Sequence, residues 1–166
     1  LQDALAYAVP ELHLNQAGEF AARYRHHYLL QENQLDLYAG ALELLSGLGK
    51  AQVHLAVATG KSTQGLARAL QATGLGTHFA ALRCADQTQP KPHPAMLQEL
   101  MHELGSTPQR TLMVGDTTHD LAMALAAGTA AVAVTHGAHG VDQLRALAPA
   151  ALLNSLPELQ QWLLPR

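Results

Sequence analysis

Two aspartates, Asp116 and Asp120, stand four residues apart where an apolar run ends, in Thr111-Leu-Met-Val-Gly-Asp-Thr-Thr-His-Asp120. A strand that stops at Gly115-Asp116 delivers the first carboxylate to the C-terminal edge of a sheet, where open α/β folds bind ligands. Asp120 then falls on the first turn of the following helix and faces the same way. Hard oxygen ligands at such an edge suit Mg2+, which is held by one or two carboxylates together with water and substrate phosphate. Phosphate chemistry is the first expectation. The plainer alternative is that Asp116 caps the helix and Asp120 favours its positive end.

Two further segments carry residues of the right type. In Ala56-Val-Ala-Thr59-Gly60-Lys61-Ser62 a strand runs straight into a helix start. Thr59 could donate to a phosphoryl oxygen, with the backbone N–H groups of Gly60 and Lys61 holding the anion at the positive helix end. The competing reading of Thr59 is a plain N-cap. The tail Gly60-Lys61-Ser62 resembles the end of a nucleotide P-loop, but that motif requires glycine at position 55, where this chain has Leu55. In Gln89-Pro90-Lys91-Pro92-His93-Pro94 a lysine is locked among prolines before a helix expected to begin near Pro94. Proline fixes φ on both sides, so the ammonium is held in place, where it can offset charge opposite carboxylates and a phosphoryl group. Taken singly, Lys91 reads equally as a solvated turn lysine.

Alternating strands and helices position these groups. Short apolar runs at 53–58, 79–85, 112–114, 131–134 and 151–153 are bounded by turn residues and predict strands. Helix-sized segments at 61–73, 94–104, 118–127 and 138–147 lie between them, with Gly74, Gly105 and Gly128 where helices stop. The alternation predicts an α/β fold with a parallel sheet covered on both faces. Residues 1–30 carry no strand signal and predict two short helices, broken at Pro10 and near Asn15. The boundary between a helical piece and the α/β body is placed at 37/38.

Composition narrows the function classes. At 166 residues and 48% apolar content the chain suits one domain with a real core. A net charge of −3 leaves no basic field for nucleic acid or an anionic membrane. No apolar run reaches the ~18 residues of a membrane span. The single cysteine, Cys84, allows no internal disulfide and reads as a buried strand residue, which fits a reduced cytoplasm. The ten histidines, His26, His27, His119, His136 and His139 among them, lack structural zinc spacing, and a helix over 118–127 turns His119 away from the aspartates. Gly74-Leu-Gly76 follows a helix and marks a cap and turn.

In this order, Ala56 to Gly60, Lys91-Pro-His-Pro94 and Val114-Gly-Asp-Thr-Thr-His-Asp120 followed by Ala126-Ala-Gly128 resemble the second, third and fourth motifs of the haloacid dehalogenase superfamily of phosphohydrolases. The resemblance is to its phosphoglycolate phosphatase-like branch with a helical cap. It covers nearly the whole chain, with Tyr38-Ala-Gly40 and Thr135-His-Gly137 similar to boundary segments and Phe20 to Tyr28 similar to the last cap helix. It implies a Rossmann-like three-layer fold, with a partial helical cap over 1–37 and an α/β core over 38–166.

It also implies a Mg2+-dependent phosphatase of a small phosphorylated metabolite such as phosphoglycolate or a sugar phosphate, working through an aspartyl phosphate. Asp116 and Asp120 would serve the metal, with Asp120 supporting metal-bound water or Lys91. Thr59, Gly60, Lys61 and Lys91 would bind the transferring group, and Thr59, Lys91 and Asp120 would serve catalysis. Tyr24, Arg25 and Tyr28 would face the substrate or simply pack the cap. The family's D-x-D-G-T nucleophile segment has no counterpart, since neither Asp3 nor Asp36 sits in such a sequence. The nucleophile is therefore expected upstream of Leu1, and this chain alone is expected to be inactive. The alternative is a catalytically silent module that keeps the phosphate and metal groups. The absent strand would lie between 53–58 and 111–115, with these about 9–10 Å apart, twice the strand spacing. Without it, the two are expected to pair directly or to take a strand from another chain. The oligomeric state is left open.

Overall fold

The protein is described from a computed structural model in which residues 9, 17–31 and 36–164 are placed. The chain divides into two compact units, Leu1–Asp36 and Leu37–Arg166. In the first, helix α1 spans Ala17–Gln31 and carries Tyr24. Arg25 and Tyr28 lie on the same helix with side chains outside the described set, and the helix expected before Pro10 lies outside the described residues altogether.

The second unit alternates helices and strands. Its elements are α2 (Ala41–Lys50), β1 (Ala56–Thr59), α3 (Thr63–Thr73), β2 (Ala81–Cys84), α4 (Ala95–Glu103), β3 (Leu112–Gly115), α5 (Thr118–Ala127), β4 (Ala130–Val134), α6 (Val141–Arg145), β5 (Ala151–Leu153) and α7 (Leu156–Leu163). Every expected strand is present, although the first begins only at Ala56, and the helix expected over 138–147 shrinks to Val141–Arg145. Helices α2 and α7 were not anticipated, though each has a local cause. Helix α2 buries Leu44 and Leu48, one turn apart. Helix α7 starts at Ser155, whose hydroxyl accepts from the Glu158 amide, with Pro157 in the first turn where a missing N–H does no harm.

All strand pairs are parallel, but they form two sheets. β1 pairs with β2, from Ala56↔Ala81 to Thr59↔Cys84. β3 pairs with β4, from Leu112↔Ala130 to Gly115↔Ala133, and β4 with β5. Among the described residues no ladder joins β1 to β3. Of the arrangements expected for these two strands, direct pairing is the one the structure rejects. The packing nevertheless runs across the break. On one face Met113 of β3 and Ala58 beside β2 pack with Met96, Leu97 and Met101 of α4 and Met123 of α5. On the other face Leu55, at the foot of β1, joins Leu112 and Val114 of β3 against Leu44, Leu48 and Leu159. The alternation Leu112/Met113/Val114 sends neighbouring side chains to opposite clusters, as the pleat requires, and gives three layers of helix, sheet and helix.

Candidate functional site

Strand β3 ends at Gly115 because the next side chain has work at the sheet edge and the one five residues on needs room. A Cβ on Gly115 would fall within 3.0 Å of the Asp120 side chain, so only glycine admits that carboxylate. Thr117, not Asp116, caps α5: its hydroxyl accepts from the Asp120 amide at 3.2 Å, and Asp120 Oδ2 accepts from the Thr117 amide at 3.2 Å. This reciprocal box satisfies two helix-end donors and pins Asp120 inward. The Thr117 hydroxyl also donates to Asp120 Oδ2 at 2.7 Å.

Asp120 is 4% exposed, and its other oxygen, Oδ1, accepts from Lys91 Nζ at 2.5 Å. Both oxygens are thus engaged, and the plain helix-end reading of Asp120 is half right: it caps α5 and holds the lysine as well. Lys91 rides on the loop between β2 and α4, with Pro90, Pro92 and Pro94 around it. Its peptide to Pro92 is cis. Pro94 is the N-cap residue of α4, and the His93 amide donates back to Pro90 O at 3.0 Å. The loop is tied to α4 by Thr88, whose hydroxyl donates to Glu99, itself paired with Arg83 at 2.7 Å. Donation first from Thr88 and then from Arg83 holds the Glu99 carboxyl below the usual range.

Asp116 is half-buried. Its Oδ2 accepts from the Ala138 amide at 2.8 Å, its backbone oxygen accepts from the His139 amide at 3.2 Å, and Gly137 lies against its carboxylate so closely that a Cβ there would overlap it. His139 Nδ1 accepts from the Thr118 amide at 3.1 Å, which ties the same loop to the start of α5. Among the described residues Asp116 Oδ1 has no hydrogen-bond donor. A carboxylate oxygen without a donor at a sheet edge fits a hard, largely hydrated cation such as Mg2+. Among the described residues no three His, Cys, Asp or Glu side chains gather as a metal cluster, so further ligands would be water and phosphate. The rings of His119 and His139 meet edge to face at 5.6 Å.

Thr59 ends β1, and its hydroxyl accepts from the Lys61 amide at 3.1 Å, which leaves the hydroxyl hydrogen to donate outward. Ser62 is the N-cap of α3, so the N-cap reading of Thr59 falls. Gly60 is exposed, with open space beside its Cα. The Lys61 amide, directed at Thr59, is not free for an anion in this arrangement. Cys84 is buried at the end of β2, where burial pushes its thiol up.

Asp86 and Glu99 are not singled out by the sequence, and Thr117, Gly137 and His139 stand there without the contacts that the structure gives them. Only Thr117 had a local signal, the Thr-x-x-Asp capping spacing. The others act through contacts 11 to 23 residues apart in sequence.

In this layered α/β body Thr59 and Asp116 stand at the carboxyl ends of parallel strands, and Lys91 on the loop beyond another. The chain belongs to the haloacid dehalogenase-like hydrolase family, whose model matches residues 1–134. It is 40% identical over 142 residues to a probable phosphatase, IndB, of Dickeya dadantii, a match covering 85% of this chain and 61% of that protein. It is 36% identical over 129 residues to a phosphoglycolate phosphatase of Rhodospirillum rubrum, covering 76% of this chain and 53% of that one. Among solved structures it resembles a haloacid dehalogenase-superfamily hydrolase from Geobacter sulfurreducens, with a TM-score of 0.73, 27% identity and coverage of 98% and 72%. A haloacid dehalogenase-like hydrolase from Streptococcus pneumoniae has the same fold, with a TM-score of 0.85, 20% identity and coverage of 98% and 76%. The chain thus spans between about half and two thirds of the length of these curated relatives.

Proposed function

We infer that this chain supplies the phosphoryl- and metal-binding groups of a Mg2+-dependent phosphatase acting on a small phosphorylated metabolite. The observation that carries the reading is the Lys91 ammonium held on the buried Asp120 carboxylate, together with an Asp116 oxygen that has no donor among the described residues. Asp116 would hold the cation, which when bound offsets charge on the phosphoryl oxygens. Asp120 would keep Lys91 charged and aimed, and Lys91, the Thr59 hydroxyl and the Gly60 amide would bind the transferring group. Unit Leu1–Asp36 would belong to the cap that selects the substrate, with Tyr24, Arg25 and Tyr28 as its substrate-facing candidates.

The nucleophile would be a carboxylate on a strand lodged between β1 and β3. Attack on phosphorus would break the ester bond and form an aspartyl phosphate that water then hydrolyses. Relatives named phosphoglycolate phosphatase and pyrophosphatase support a small phosphorylated substrate. A reduced cytoplasm is the compartment that the free, buried Cys84 suits; among the described residues no helix is long and apolar enough to cross a membrane.

A second reading, a module that binds phosphate and metal without turnover, draws on the carboxylates themselves. Asp86 and Asp120 at this edge are already bonded, and Asp116 is the cation's candidate. The test is hydrolysis of phosphomonoesters with and without EDTA, by this chain alone and by a version extended upstream with a D-x-D-G-T segment. We expect EDTA-sensitive turnover from the extended protein only. Turnover by the 166-residue chain, or EDTA-indifferent turnover, would overturn the assignment.

A further inference from the structure

Beyond the groups that would touch a phosphoryl oxygen, the geometry points to Asp86 as the positioning residue that sets the Thr59–Lys61 segment and the Lys91 loop in register, an inference that rests on the phosphoryl site above. Asp86 lies two residues past the end of β2, and its carboxylate makes three bonds to one residue: Thr63 N donates to Oδ1 at 2.9 Å and to Oδ2 at 3.0 Å, and Thr63 Oγ1 donates to Oδ1 at 2.9 Å. Thr63 is the first residue of α3, four after Thr59. A second tie joins the same segments, from the Ala85 amide to Lys61 O at 3.0 Å. β1 and β2 also end level, Thr59 opposite Cys84.

From Asp86 the chain needs only five residues to reach Lys91, whose ammonium ends on Asp120. Hydrogen bonds join Thr63 to Asp86 and Lys91 to Asp120, and short stretches of chain join Thr59 to Thr63 and Asp86 to Lys91, so the Asp86 side chain links the two phosphoryl-binding segments. The Cys84 thiol also meets Thr63. The Asp86 carboxylate takes up the Thr63 amide. One donor at the start of α3 is thereby removed from competition with the Thr59 hydroxyl and Gly60 amide for an anion. The Thr63 hydroxyl is the first reason the Asp86 carboxyl lies below its usual range, in keeping with a charged acceptor throughout the neutral region.

The test uses inorganic phosphate as ligand by calorimetry and as inhibitor of phosphomonoester hydrolysis by the active protein. Asp86→Ala should weaken phosphate binding about tenfold or more, the scale of a lost coupling between contacting groups. KM should rise in step, with kcat within about threefold, because the phosphoryl group is held in ground and transition states alike. Thr63→Val should do the same, Thr63→Ser should behave as wild type, and Asp86→Ala/Thr63→Val should be no worse than either single change. Asp86→Asn, which keeps the shape and one acceptor, should fall between, and serves if the alanine variant does not fold. Wild-type phosphate affinity in Asp86→Ala or Asp86→Asn, with or without a fall in Tm, overturns the proposal, as do multiplicative effects in the double variant. Lys91→Ala reports on the site itself. If the unmutated protein does not bind phosphate, or if Lys91→Ala binds it as tightly as the unmutated protein, the phosphoryl site fails, a result distinct from a wild-type outcome at Asp86.

Discussion

At the scale of single residues the site is organised around two carboxylates with different duties. Asp120 is sunk in the protein and neutralised by Lys91, whereas Asp116 has one oxygen without a donor among the described residues. Removing one member of a buried pair strands the other charge, so Lys91→Met should destabilise the fold by about 3–5 kcal/mol, read as a lowered guanidinium midpoint. A fall under about 1 kcal/mol would mean that water reaches Asp120. Asp116→Asn should leave stability near wild type while removing an anionic oxygen from the cation. Mg2+ should then no longer raise Tm at concentrations that protect the unmutated chain; equal protection would move the metal elsewhere. Gly137 abuts Asp116, and a methyl group there must displace the carboxylate or its loop. Gly137→Ala should cost about 1–3 kcal/mol as overpacking, and a neutral effect on the unfolding midpoint would contradict that contact.

Elements carry these residues through their ends. The Thr117 cap serves α5 and the site together, since the hydroxyl that closes the helix also orients the oxygen of Asp120. Thr117→Ala should therefore lower stability by about 1–2 kcal/mol, whereas Thr117→Ser, which keeps the hydroxyl, should retain most of it; urea midpoints decide. The β2–α4 loop is anchored by Asp86 at one end and by Thr88 on Glu99 further along. Glu99 has a depressed carboxyl, so its contribution is complete above the unfolded value of about 4.3 and is lost as pH falls through the lower folded value. Its side chain is 41% exposed, which limits the contribution to about 0.2–1 kcal/mol. Glu99→Gln should cost that contribution, about 0.2–1 kcal/mol, at pH 7 and progressively less as pH falls below about 4.3, so that the acid limb of stability is flatter. A limb as steep as that of the unmutated chain would remove Glu99 from the account.

For the α/β unit as a whole, the informative feature is the parallel sheet divided between β1 and β3 while both helical layers continue across. Unpaired backbone groups at such edges cost about 1–3 kcal/mol each where water does not reach them, so the two edges are suited to a further strand. Amide exchange checks this: Ala56–Thr59 and Leu112–Gly115 should exchange faster than Ala130–Val134, which is paired on both sides. The upstream-extended protein should slow the first two groups selectively. Protection of β1 and β3 that matches β4 in the 166-residue chain would show that the edges are already satisfied.

What the sequence determined by itself was local. Apolar runs of strand length, glycines at helix ends such as Gly74 and Gly128, and proline around Lys91 placed the five strands, most helices and the residues at their carboxyl ends. Those features act within a few residues, where pleat, helical turn and φ are decided. Tertiary structure alone decided that Asp120 meets Lys91 across 29 positions, that Asp86 clasps Thr63 across 23, and that the loop after β4 wraps Asp116. It also decided that β1 and β3 stay unpaired with each other. Such partnerships depend on which strand ends and helix starts are brought side by side, and no periodicity within either segment encodes the distance to the other.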